Sequence, residues 1–236
     1  IVESDPKAYS DPLPSELRQR NGLISLREAI YNIHFPQSAE LLRQARYRLK
    51  YDELLGVQLT IQARRTDRQK RGGGFLFPRV GEAFNTFFKE KLPFARTGAQ
   101  QRVIKEIRAD MISGKQMNRL LQGDVGSGKT MVALMSMLLA VDNGFQACMM
   151  APTEILAAQH YETVKQFLFG MNVRVELLMG SVKGKKREEI LKGLLTGEVQ
   201  ILIGTHAVLE DTVNFASLGM VVIDEQHRFG VAQRAK

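Results

Sequence analysis

The chain has 236 residues, 44% of them hydrophobic and 25% charged, which suits a globular protein of one large domain or one domain with an accessory segment. Its longest apolar run falls short of the about 20 residues a membrane span requires, and no secretory leader is visible, so the expected location is the cytoplasm. The net charge of +8 permits a polyanionic partner without establishing one, and the single cysteine, Cys148, can form no bridge within the chain and reads as an inert buried thiol.

In chain order, residues 1–14 carry Pro6, Pro12 and Pro14 and read as an irregular entry. Ser25 followed by Glu28 fits a capping box, which predicts a short helix ending before Pro36. From Ser38 to Arg71 there is no proline, and Leu41, Leu42, Ala45, Leu49, Leu55 and Leu59 recur at mostly helical spacing. One long helix is expected, with Gly56 as a weak point and Gly72-Gly73-Gly74 as its end. Residues 79–91 predict another helix, with Phe84, Phe87 and Phe88 on one side. Residues 1–92 therefore read as a mainly helical accessory region, and 93–236 as a second domain.

Beyond residue 93 the pattern changes. A helix is expected over 97–113. Short apolar runs at 119–122, 146–151, 173–179, 199–203 and 219–223 then alternate with helical stretches near 129–142, 154–168 and 184–195. Such alternation predicts an α/β fold, a parallel sheet with helices on both faces, whose ligands bind at the carboxyl ends of the strands.

The chemistry is concentrated at the junctions of these elements. Gly123-Asp124-Val125-Gly126-Ser127-Gly128-Lys129-Thr130 fits the phosphate-binding loop G-x-x-x-x-G-K-[ST]. Its glycines let the backbone turn N–H groups inward, Lys129 carries a positive charge to the β- and γ-phosphates, and the Thr130 hydroxyl can ligate Mg²⁺. Met220-Val221-Val222-Ile223 runs into Asp224-Glu225-Gln226-His227, the pattern of a buried strand that delivers a carboxylate at its tip. Asp224 would hold Mg²⁺ and Glu225 would polarise the attacking water. Thr97-Gly98-Ala99-Gln100 is a capping box for the next helix. The Gln100 amide could also pair with an adenine edge, on which an upstream aromatic could stack. Three further strand ends carry backbone donors and hydroxyls: Ala151-Pro152-Thr153-Glu154-Ile155-Leu156-Ala157-Ala158-Gln159-His160, Gly180-Ser181 and Gly204-Thr205-His206. On one edge of one sheet they suggest a track for a nucleic-acid backbone.

The order and wording of these segments resemble the superfamily 2 helicases. Within them the chain is most similar to the bacterial ATP-dependent DNA helicases that remodel branched DNA. Gly-Asp-Val-Gly-Ser-Gly-Lys-Thr, Ala-Pro-Thr-Glu-Ile-Leu-Ala, Gly-Thr-His-Ala-Val-Leu and Val-Val-Ile-Asp-Glu-Gln-His-Arg-Phe-Gly-Val carry the resemblance. Ile33-His34-Phe35-Pro36 and Leu92-Pro93-Phe94 extend it upstream, so that it runs from about residue 13. It implies a RecA-like P-loop NTPase sheet preceded by a helical connector, ATP and Mg²⁺ as cofactors, and forked or branched duplex DNA as partner. By position it implies that Phe94, Thr97 and Gln100 read adenine, and that residues 123–130 bind the triphosphate. Gln226 and His227 would link the nucleotide site to a second RecA-like domain, and Thr153, Gly180, Ser181 and Thr205 would touch the DNA backbone. Starting at Ile1 and stopping at Lys236, the sequence is expected to be a monomeric piece of a longer protein. A fork-reading wedge domain would precede it, and a second motor domain bearing an arginine finger would come after it, so slow turnover is expected from the piece alone.

Other readings stay open on the residues. A transcription-repair-coupling duplex translocase shares the Gly-Asp-Val-Gly opening and a related Asp-Glu-x-His-Arg-Phe-Gly end. A nucleotide-dependent switch would not need Glu225, and a P-loop transferase would need an acceptor pocket. The basic clusters Arg64, Arg65, Arg68, Lys70, Arg71 and Lys183, Lys185, Lys186, Arg187 fit either a polyanion contact or a solvated helix face.

Overall fold

The computed structural model describes residues 10–71, 73–92 and 97–229. It divides into two compact units, residues 1–71 and 72–236.

The first unit contains α1 (Ser15–Arg20), α2 (Leu26–His34) and α3 (Ala39–Arg71). The capping box that opens α2 is complete: the Ser25 hydroxyl accepts from the Glu28 N–H at 3.2 Å, and the Glu28 carboxylate accepts from the Ser25 N–H at 2.9 Å. α3 runs through Gly56 without interruption, since one helical glycine costs only about 1 kcal/mol against alanine. On α3, Ala45 and Arg48 are fully buried, whereas Leu54, Val57, Leu59 and Ile61 are exposed. The Arg48 guanidinium is held by Asp11 at 2.6 and 3.0 Å, by Asp52 at 3.0 Å and by the Ile24 carbonyl at 2.7 Å. Asp11 also accepts from the N–H groups of Leu13 and Leu26, so one carboxylate ties the chain entry to α2 and α3.

In the second unit the segment from Gly73 to Leu92 packs against residues later in the chain, whereas the boundary read from the sequence falls after Leu92. Gly73 bridges to Lys115, and the Phe77 N–H donates to the Met111 carbonyl at 3.1 Å. α4 (Glu82–Thr86) continues as a π-helical turn, Phe87–Lys91. The start of α4 is capped from a distance: the Asp142 carboxylate accepts from the N–H groups of Gly81, Ala83 and Phe84 at 2.9–3.0 Å. Phe84 and Phe87 are buried, and Phe84 stacks on Phe88 with ring centroids 5.7 Å apart.

The remaining elements are α5 (Gly98–Met111), α6 (Lys129–Asp142), β1 (Gln146–Met150), α7 (Glu154–Phe167), β2 (Val175–Leu178), α8 (Gly184–Thr196), β3 (Ile201–Gly204) and β4 (Leu218–Ile223). The four strands form one parallel sheet in the order β2-β3-β1-β4. Strand alternation assigns the two faces. Ala147 and Met149 of β1, with Ile201 and Ile203 of β3, join the core built on α5, α6 and α7. Cys148, Met150, Leu178 and Leu202 point the other way and pack with Ile190 and Leu194 of α8. Helices thus cover both faces, and the expected α/β fold is observed. The buried Gln146 gives both amide hydrogens and one lone pair to this frame: Nε2 donates to the Leu194 and Val199 carbonyls, and Oε1 accepts from the Ser217 N–H.

One expected strand is not present. Residues 119–122 form no ladder with the sheet, and Leu120 is 61% exposed. An extended segment becomes a strand only where a neighbour takes its N–H and C=O groups. Arg119 instead turns to α5, donating to Glu106 at 2.7 Å and Asp110 at 2.8 Å.

Candidate functional site

The site is assembled at the carboxyl edge of the sheet. Parallel register puts Met150 beside both Gly204 and Ile223, and Leu178 beside Gly204. The residues just past these strand tips, around positions 151–153, 179–181, 205 and 224–225, therefore share one edge. α6 leads into the amino end of β1 through three residues, Asn143 to Phe145, so its opposite end, with the preceding loop, lies toward the same edge.

That loop has the shape expected of a phosphate cradle. Gly126 and Gly128 have φ of 81° and 80°, a region other residues rarely enter. Gly128 is the N-cap of α6 and no side chain caps this helix, so its first N–H groups and the positive end of its dipole face the loop. Lys129 Nζ donates to the Gly123 and Asp124 carbonyls at 2.8 and 2.9 Å, which holds its charge over the loop. Thr130 is half-buried in the first turn of α6, and Val125 stands fully exposed at the loop tip.

Gln100 connects the loop to α5. Its Oε1 accepts from the Thr97 N–H at 2.9 Å, completing the capping box, and its Nε2 donates to the Ser127 carbonyl at 2.9 Å. An amide offers two N–H donors and two lone pairs, so one of each remains for a base edge. Phe94 lies outside the described residues.

At the tip of β4 the Asp224 N–H donates to the Met150 carbonyl at 2.9 Å. Its carboxylate Oδ2 lies 2.7 Å from Nε2 of His160 on α7. A carboxylate oxygen only accepts, so Nε2 is the donor in this pair. Glu225 comes next with φ 48°, alone among the described non-glycine residues in having positive φ. Backbone strain of this kind costs on the order of 1–3 kcal/mol and gathers at functional positions. Gln226 is exposed in the 3₁₀ turn Gln226–Arg228; the side chain of His227 lies outside the described residues.

The other strand ends differ among themselves. The Thr153 hydroxyl caps α7 by accepting from the Leu156 N–H at 3.2 Å. Glu154, beside it, accepts from the Ser181 N–H at 3.3 Å and from its hydroxyl at 3.1 Å, which brings Gly180-Ser181 against the start of α7. Thr205 is 1% exposed, and its Oγ1 has no hydrogen-bond partner among the described residues. Thr153 and Ser181 are thus on the surface, whereas the Thr205 side chain faces inward. In the second basic cluster, Lys186 pairs with Glu176 at 3.0 Å and Arg187 with Glu210 at 2.6 Å.

Sequence reasoning missed His160. It lies three residues after Ala157 and four before Val164, both fully buried, so helical spacing put it on the sheet-facing side of α7. A polar ring there needs a partner, and that was the signal.

This arrangement has relatives. Residues 97–236 match the DEAD/DEAH box helicase family. The chain belongs to that family. Among its helicase relatives, the chain is 50% identical over 227 residues to the ATP-dependent DNA helicase RecG of Synechocystis sp., covering 96% of this chain and 27% of that protein. It is 46% identical over 229 residues to the RecG of Thermotoga maritima, covering 96% and 29% respectively. A solved structure, RecG bound to a three-way DNA junction, superposes with a TM-score of 0.83 at 44% identity, covering 94% of this chain and 30% of that one. The chain therefore spans under a third of the length of these helicases. The resemblance read from its motifs is borne out, as is the RecA-like fold it implied. Among the described residues no helix is long and apolar enough to cross a membrane.

Proposed function

We propose that this chain supplies the connector helices and first motor unit of a cytoplasmic ATP-dependent DNA helicase that remodels branched duplex DNA. The observation that carries the reading is the convergence, on one sheet edge, of the 123–130 loop and the Asp224-Glu225 strand tip. Similarity to RecG supports the choice of DNA over other polymers, and the junction bound in the related structure supports branched duplex as substrate.

In this reading residues 123–129 and the first turn of α6 hold the triphosphate. The Lys129 ammonium exchanges two neutral carbonyls for phosphate oxygens, a charge-assisted and stronger pairing. The donor set fits Mg²⁺. Among the described residues no three His, Cys, Asp or Glu side chains cluster as a cage, and this cation is usually bound by one or two carboxylates plus substrate phosphates. Asp224 and the Thr130 hydroxyl would hold it, and when bound it would neutralise charge on the β- and γ-phosphates. Glu225 orients the attacking water. Gln100 reads adenine beside Thr97, with Phe94 on the ring. Gln226 and His227 face a second RecA-like domain of the whole, monomeric protein. Thr153, Gly180 and Ser181 meet the DNA backbone, and Thr205 joins them only if its side chain turns outward. The helices up to Arg71 act as the connector after a wedge domain, and residues 73–92 go with the motor unit into which they pack. Hydrolysis and DNA movement belong to the whole protein, and slow turnover is expected from this chain by itself.

The test is steady-state ATP hydrolysis by the whole protein on forked and linear duplex DNA of equal length. Stronger stimulation by the fork is expected; equal stimulation would favour a general duplex translocase, and none would favour a nucleotide switch. Glu225→Gln should abolish hydrolysis while nucleotide affinity stays within about threefold, a loss of on the order of 10³ or more in rate if it orients the water. Lys129→Ala should weaken binding itself, and unchanged affinity would remove the loop from the site.

A further inference from the structure

We propose that His160 is a positioning residue for the Asp224 carboxylate, fixing the face that Asp224 presents to a nucleotide-bound divalent cation. The proposal rests on the nucleotide-site reading above.

A carboxylate at a strand tip can rotate about its last bond, and a hydrogen bond to one oxygen stops that rotation. His160 Nε2 supplies this bond to Oδ2 at 2.7 Å. Among the described residues the other oxygen, Oδ1, has no side-chain partner, so the clamp selects which oxygen faces the cation. Neither group is loosely held. The side chains are only 15% and 30% exposed, and the Asp224 backbone is tied to Met150. Ala157 and Val164 bury the same side of α7, which fixes the backbone that carries the ring. Carboxylates that ligate metals are usually held by such outer partners, whose loss typically costs 10–100-fold in metal affinity.

The carrier of the clamp matters as well. α7 begins at Thr153 and Glu154, and Glu154 holds the Ser181 loop. One helix therefore joins the proposed DNA-facing strand ends to the carboxylate at the neighbouring strand tip. The nucleotide loop and the strand tip contribute the chemistry, and His160 sets the angle at which the second meets the first.

The test titrates a fluorescent ADP analogue into the whole protein, first in EDTA and then with increasing Mg²⁺. The wild-type protein should bind in EDTA and Lys129→Ala should not. His160→Phe should bind as wild type does in EDTA but need about tenfold more Mg²⁺ for the metal-dependent tightening. His160→Gln, which keeps an N–H donor, should recover most of the response, a rescue that a merely space-filling role would not give. An unchanged Mg²⁺ midpoint in His160→Phe overturns the proposal and leaves the nucleotide site standing. Absence of Lys129-dependent binding by the wild-type protein overturns the nucleotide site and the proposal together. Should circular dichroism find His160→Phe unfolded, the ¹⁵N shifts of the wild-type ring decide. Nε2 should be protonated and should move when Mg²⁺ joins the bound nucleotide, and a ring indifferent to Mg²⁺ overturns the proposal.

Discussion

A guanidinium withdrawn from water costs several kcal/mol unless its charge and its donors are met. Arg48 is fully buried and has both, through Asp11, Asp52 and the Ile24 carbonyl. Removing Asp11 takes away two of the hydrogen bonds to this buried charge and leaves Asp52 as its counter-ion, so Asp11→Ala should destabilise the first unit by about 3 kcal/mol, read from urea melts of its helical signal. The same pair predicts acid sensitivity. The hydrogen bond from Arg48 holds the Asp11 carboxyl well below its ordinary 3.8. A group whose folded value is depressed stabilises the fold above its unfolded value. That contribution is complete at neutral pH and is lost as pH falls below 3.8. Melts at pH 7 and pH 3 should differ in wild type and differ less in Asp11→Ala. On the sheet, burial pushes the Cys148 thiol up to about 12, so its reaction with a maleimide at neutral pH should be very slow until the chain is unfolded by urea.

Among elements, the junction between the 73–92 segment and the sheet-bearing core rests on a few buried aromatic rings. Phe87 is fully buried and meets Phe167 of α7 edge-on at 5.9 Å. Phe87→Ala should cost about 3–5 kcal/mol in the second unit, measured by chemical denaturation. The helices were readable because their signals are local. The Ser25 and Thr97 capping boxes, the proline-free run to Arg71 and the apolar stretch after Lys129 each act within a few turns of chain. The strand expected at 119–122 failed because a strand is a relation between two segments, and Arg119 satisfies its charge on α5 instead. The 123–130 loop was legible for the same local reason. The His160–Asp224 pair joins residues 64 positions apart, and no pattern within α7 names the partner. Likewise Thr205 read as a surface hydroxyl at a strand end, but its side chain is buried, which its place in the sequence does not announce.

At the scale of the molecule, charge and topology have separate consequences. Internal pairing leaves the net charge of +8 unchanged but reduces the cations free to meet DNA, since Lys186, Arg187 and Arg174 pair with Glu176, Glu198 and Glu210. Neutralising Lys186 and Arg187 should lower thermal stability slightly, and should leave the slope of log affinity for DNA against log salt unchanged. The sheet order has a temporal meaning too. β1 is the first of the four strands to be synthesised, but it pairs with the third and the fourth and never with the second. Both of its ladders can be closed only after the ribosome has delivered residues up to Ile223. Until then β1 waits with at least one edge open, in a register that rewards nothing nearby. Pairings of that span make folding slow and leave intermediates prone to association. A nascent chain halted before Leu218 should accordingly be the species that chaperones hold longest.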